Sequence, residues 1–179
     1  MRRREFILAL GGAAAWPLAA PAQQPAMPVI GFLSTRSCAD STRVTEAFRE
    51  GLAGTGRVEG RNTVIDYRWA EGQFDRLSTL ATELVRRPVS ALATVGGNQS
   101  ARAAKATTTT IPIVFGIGED PIEVGLVASL NRPSGNITGA TFSTSLLGAK
   151  RLGLLRELVP GADLIALFVN ANASQGRRK

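Results

Sequence analysis

No histidine occurs in the 179 residues, and Cys38 is the single cysteine. Without an imidazole the chain has no Ser-His or Cys-His catalytic pair and lacks the commonest general base and metal ligand. One cysteine excludes a disulfide within the chain. In an exported protein it leaves an intermolecular bridge or a free thiol, and burial as a small apolar residue is the expectation for Cys38. A complete dinucleotide fingerprint is also missing. Gly116 and Gly118 have the spacing of its first two glycines, but the third is absent and the pair follows a fourth expected strand rather than a first. Nor is there a basic stripe interleaved with aromatics of the kind that grips nucleic acid. Arg2, Arg3 and Arg4 against Glu5 account for +2 of the formal +7, and most of the other positive charges are scattered. No internal repeat or long linker interrupts the chain.

The amino terminus carries the strongest positive signal. Arg2, Arg3 and Arg4 form a basic region, Phe6 to Ala22 is mostly apolar, and Ala20-Pro21-Ala22 has the small-x-small form of a cleavage site. Arg3-Arg4-Glu5-Phe6-Ile7 follows the order of a twin-arginine signal. The apolar run is short for a span of roughly 20 residues, and Pro17 and Pro21 break its far end. Residues 1–22 are therefore read as a signal peptide cleaved near Ala22, with a periplasmic destination and the export machinery as a first partner.

Beyond it, strands and helices alternate. Apolar runs at 29–33, 89–95 and 111–115 suit buried parallel strands. Over 63–69, Ile65, Tyr67 and Trp69 share one face while Asp66 and Arg68 take the other, a pattern that fits an edge strand. Helical spacing is carried by Val44, Ala47, Phe48 and Leu52, then by Phe74, Leu77, Ala81, Leu84 and Val85, and then by Ala101 and Ala104. Asp120, Pro121 and Glu123 lay out a capping box that predicts another helix. Residues 136–142 read as a fifth strand, Leu147, Leu154, Leu155 and Leu158 as a further helix, and residues 164–169 as a sixth strand. This order predicts a doubly wound α/β fold with a mainly parallel sheet.

In such sheets ligands bind beyond the carboxyl ends of the strands. Three loops there carry candidate ligand-binding residues: Ser34 and Thr35 after the first strand, Gly97, Asn98 and Gln99 after the third, and Glu119 and Asp120 after the fourth. The glycine allows close backbone approach and the amides both donate and accept. Glu119 is the one carboxylate at a strand end without an obvious structural duty, open either to pairing with a ligand ammonium or to simple exposure, whereas Asp120 has a competing duty as a helix cap. Ser, Thr, Gly and Asn are also ordinary turn residues.

Several segments, in order, carry a family resemblance. They are Met1-Arg-Arg-Arg-Glu-Phe6, Gly11-Gly-Ala-Ala-Ala-Trp-Pro-Leu18, Val29-Ile-Gly-Phe-Leu33, Tyr67-Arg-Trp-Ala-Glu-Gly72 and Thr109-Thr-Ile-Pro-Ile-Val-Phe115. Gly118-Glu-Asp-Pro121, Gly125-Leu-Val-Ala-Ser-Leu130, Gly135-Asn-Ile-Thr-Gly139, Gly148-Ala-Lys-Arg-Leu152 and Glu157-Leu-Val-Pro160 continue it. The chain resembles the periplasmic substrate-binding proteins of ABC transporters, in the branch that includes binders of tryptophan and other aromatic amino acids. The resemblance implies a two-lobe type I binding-protein fold and a small organic solute, with an amino acid as the first guess. The solute is held in an interlobe cleft and delivered to an ABC permease in the membrane, without cofactor, metal or catalysis. On that template residues 23–137 form the first α/β lobe, 138–170 the hinge and the start of a second lobe, and 171–179 a disordered basic tail. The second lobe is expected to be truncated, with impaired binding and aggregation through residues 146–169. Two competing readings are a nucleotide-dependent α/β enzyme and a one-lobe sensor or interaction module.

Overall fold

Unbroken apolar character over several residues belongs to a strand covered on both faces, and β1 (Val29–Ser34) takes that position, with a neighbour on each side. A computed structural model describes residues 27–133, 135–142 and 147–166. The expected signal peptide, the last residues of the expected sixth strand and the basic tail lie outside them. Among the described residues the sheet contains β2 (Val64–Trp69), β1, β3 (Val89–Val95), β4 (Ile113–Ile117) and β5 (Ile137–Thr141), in that spatial order. Every pairing is parallel. β2 is an edge strand, as its alternation predicts. The helices are α1 (Thr42–Gly54), α2 (Leu77–Val85), α3 (Asn98–Thr107) and α4 (Gly148–Leu158).

Two apolar layers sandwich the sheet, as double winding requires. On one face Leu33, Leu92, Ile113, Phe115 and Ile137 meet Leu77, Leu80 and Leu84 of α2 and Ala101 and Ala104 of α3. The two alanines are wholly buried, and their small side chains let α3 lie close to the strands. Complete burial of a leucine such as Leu84 contributes about 1.5–3 kcal/mol relative to exposure. The other layer is aromatic. Phe32 lies 5.2 Å from Phe48 of α1 and 5.3 Å from both Tyr67 and Trp69 of β2, centroid to centroid. These tilted contacts set the edges of some rings against the faces of others, which aromatic quadrupoles favour.

The polar face of β2 is neutralised locally. Asp66, almost buried, is paired with both Arg68 and Arg87, and Arg68 also reaches Glu83 of α2 at 3.3 Å. At the opposite side of the sheet Gly139 is required by close approach. A Cβ there would collide with the Phe115 carbonyl and ring, so β5 registers against β4 only with a glycine at that position.

Four local expectations are corrected. The helix predicted after Asp120 is a single turn. Asp120 Oδ1 does accept the Ile122 and Glu123 N–H groups, at 2.7 and 3.4 Å, but Gly125 follows at φ 71° and reverses the chain. Leu126 and Val127 are then drawn into the core, where they are buried. Residues 164–166 are not a strand, because no described strand lies alongside to pair with them, and Leu164 is exposed. Cys38 is exposed rather than buried, since it lies in the loop between β1 and α1, clear of both apolar layers. In α1 the buried stripe is rotated from the expected one: Val44 and Ala47 face out, while Thr45, Phe48 and Leu52 face the sheet.

Candidate functional site

Parallel strands deliver all their following loops to one end of the sheet. A cleft of about 620 Å³ opens there. Its floor is formed at the ends of β1, β3 and β4 by Ser34, Val95, Gly116 and Ile117, and Phe142, just past β5, stands at its edge. The volume lies within the range of small-molecule sites, about 300–1,000 Å³.

Hydrogen bonds tie the loops into a continuous rim. Thr35 Oγ1 donates to the Gly96 carbonyl at 2.7 Å, linking the loops after β1 and β3. Gly96 sits at φ 86°, and a Cβ on it would lie 2.5 Å from Thr35 Oγ1, so this link needs the glycine. Asn98 Nδ2 donates to Glu119 Oε1 at 3.3 Å, linking the loops after β3 and β4. Thr141 Oγ1 donates to the Glu119 carbonyl at 2.8 Å and extends the chain of links to β5. Glu119 is thereby held by both its side chain and its backbone, its carboxylate at the cleft.

Of the candidates named from the sequence, Ser34, Gly97 and Glu119 line this cleft. Thr35 lines an adjoining hollow of about 630 Å³ with Ser37, Asp40 and Phe74. Asn98 and Gln99 begin α3 behind the cleft lining, and Asp120 is engaged in its turn. Ser34 is fully buried, and its Oγ accepts the Arg36 backbone N–H at 3.1 Å.

The sequence reading did not single out Arg36, Ser41 or Arg151, yet all three line the cleft. Arg36 also borders the adjoining hollow and so stands between the two spaces. Ser41 carried a faint signal. It lies seven residues before Phe48 and eleven before Leu52, on the same helical stripe, where a hydroxyl is out of place. Among the described residues neither Arg36 nor Arg151 enters a salt bridge. Arg36, Arg151 and Glu119 are the charged residues that line the cleft. Among the described residues no group of three Cys, Asp or Glu side chains is placed to hold a metal ion. No described helix is long and apolar enough to cross a membrane.

On the outer face, away from the cleft, Arg49 Nε donates to the Tyr67 hydroxyl at 3.0 Å and to Glu59 at 2.6 Å. Burial pushes the Tyr67 phenol above the usual tyrosine range, with the Arg49 hydrogen bond acting in the opposite direction.

Comparison with known proteins gives this geometry a context. Residues 28–178 match the family model described as ABC transporter substrate binding protein. A tyrosine-binding protein of Clostridioides difficile (strain R20291) is 30% identical over 130 residues, which cover 73% of this chain and 37% of that protein. A conserved domain protein from Vibrio cholerae superposes with a TM-score of 0.69 at 25% identity, covering 75% of this chain and 45% of its own. An ABC domain from Streptococcus pneumonia, solved in complex with L-Trp, has a TM-score of 0.58 at 26% identity, with 64% of this chain and 38% of that one covered. The chain thus spans less than half the length of each of these relatives.

Proposed function

The chain belongs to the ABC transporter substrate binding protein family, and from that premise we propose that it is the extracytoplasmic solute-binding component of an ABC importer. It takes a small organic solute, an aromatic amino acid first among the candidates, and presents it to a permease in the membrane. Residues 1–22 direct export to the periplasm. The lobe built on the parallel sheet supplies one wall of the binding cleft, and the residues that follow β5 begin the second. Ser34, Thr35, Gly97, Asn98, Gln99, Glu119 and Asp120 form or brace that wall, with Glu119 facing the ammonium group of the solute. The function is binding and release, with no chemical step.

The observation that carries this reading is the convergence of Ser34, Gly97 and Glu119, from three separate loops, on one cleft at the carboxyl ends of the strands. The tyrosine-binding and L-Trp-bound relatives support the choice of solute. Titration of the ¹⁵N-labelled full chain with L-tryptophan and L-tyrosine tests it. Saturable amide shifts at Ser34, Gly97 and Glu119 are expected. No saturable shift anywhere in the chain at millimolar solute overturns the reading.

A further inference from the structure

α4 contributes no side chain to either apolar layer, yet its sequence is that of a packing helix. Its N-cap residue Leu147 recurs as Leu154 and Leu158 along one line of the helix, with Leu155 beside them. Leu152 and Val159 widen the line into a face, and all six side chains are 42–77% exposed. They leave roughly 600 Å² of apolar surface on one helix, at the upper end of what a monomer shows in a single patch. Phe142 is 70% exposed at the edge of the cleft that Arg151 of α4 also lines. It brings the total to roughly 750 Å², close to the area of about 800 Å² that each partner buries in a stable interface.

The charges decide which surface fits this face. Lys150 and Glu157 are seven residues apart, so they flank the same side of the leucine line, one towards each end of the helix. Both are exposed, and among the described residues neither enters a salt bridge. When two copies of α4 pack antiparallel about Gly153, Lys150 of each comes level with Glu157 of the other. Two opposite-charge pairs then close one flank of the contact. Parallel packing would set like charges level and form neither pair. Arg151 interrupts the leucine line, but it lines the cleft, and a long basic side chain can lay its stem on apolar surface while its head stays outside.

We propose that α4 is a self-recognition surface, through which two copies of this chain pair antiparallel, leucine face to leucine face, with Lys150 opposite Glu157 twice. The inference lies beyond solute binding and does not depend on it. Such a contact is isologous, so it closes at two copies and does not grow into larger assemblies. Each copy is folded before it pairs, because both apolar layers are complete without α4. The dilute chain therefore gains no stability from the contact.

Sedimentation velocity of the full chain across the micromolar range tests it. A reversible monomer–dimer equilibrium with a micromolar dissociation constant is expected. Lys150→Glu sets like charges together in both pairs and should weaken the dimer about five- to thirtyfold at low salt, as should Glu157→Lys. Mixed in equal amounts, the two variants should regain the parent affinity as a heterodimer, since each pair again joins opposite charges. The double exchange Lys150→Glu with Glu157→Lys should regain it alone. All these substitutions are at exposed positions, and melting of the dilute variants is expected to match the parent.

A chain that stays monomeric across the range overturns the proposal. If that monomer instead sediments with phosphatidylglycerol vesicles, the face belongs to a lipid surface. Growth past the dimer without a plateau overturns it as well, and shows ordinary aggregation. A dimer that ignores the charge exchange, or variants that fail to recover on mixing, overturns the antiparallel contact.

Discussion

Leu77, Leu80 and Leu84 of α2 are at most 8% exposed, whereas Leu152, Leu154, Leu155 and Leu158 of α4 are 47–77% exposed. Both segments have the leucine content of an amphipathic helix and both are helical. α2 lies against β1, β2 and α3 and becomes part of the larger apolar layer. No residue of α4 is buried. Apolar spacing therefore specifies that a helix forms and which side is sticky, but burial requires a complementary surface, and that surface alone converts side-chain area into stability. α4 is an exposed apolar patch, of the kind that marks a site of contact or of aggregation.

The sharpest test of this contrast is a pair of truncations. Leu84→Ala is expected to cost about 2–5 kcal/mol in urea denaturation, and Leu155→Ala no more than about 0.5 kcal/mol. Similar losses from the two would mean that α4 is packed in solution and the contrast is false. A second pair replaces glycines. In Gly31→Ala the new Cβ would meet Leu92 Cδ2 at 2.7 Å and Leu84 Cδ2 at 3.2 Å, so overpacking should cost about 1–3 kcal/mol. Gly153 of α4 has nothing within 4 Å of such a Cβ, and Gly153→Ala should instead raise helix stability by up to about 1 kcal/mol. Opposite signs from the same substitution would be hard to obtain any other way.

Replacing Leu154, Leu155 and Leu158 together by Gln should leave the unfolding midpoint nearly unchanged. Self-association, followed by sedimentation velocity, should fall. A drop in the midpoint would again show that α4 is covered.

Tyr67 lies between these two regimes, half-covered by the aromatic layer. Because burial raises its folded pKa above 10.0, the unfolded chain loses the phenolic proton first. Stability should therefore fall as pH rises from 10.0 towards the folded value and level off above it. In Tyr67→Phe this part of the alkaline loss should be absent, which parallel denaturant titrations of the two proteins would reveal. An identical alkaline limb in both would place the phenol in full contact with water. This is the smallest effect of the set.

Most of the sheet was readable from the residues because strands buried on two faces have little choice of composition. The runs containing Phe32, Leu92 and Phe115 admit few other structures, and the alternation through Ile65, Tyr67 and Trp69 identified the edge. What was hidden depended on events elsewhere in the chain. The Asp120 cap forms as its local pattern requires, yet Gly125 and the burial of Leu126 and Val127 stop the helix after one turn. The orientation of α1 was set by Phe32 and the aromatic side of β2, not by its own leucine and valine, so Val44 turned outward. The cleft was legible at Ser34, Gly97 and Glu119, which follow strands. Ser41 was not, because an unpaired hydroxyl can be recognised only when everything around it is known.

The links Thr35 to Gly96, Asn98 to Glu119 and Thr141 to Glu119 have a kinetic consequence. They fasten four strand ends to one another before any solute arrives, so this wall has little loop entropy left to surrender on binding. An encounter with it is a landing on a finished surface rather than a folding event. Cutting one link, as in Thr35→Val, should then slow capture by making the wall assemble itself each time.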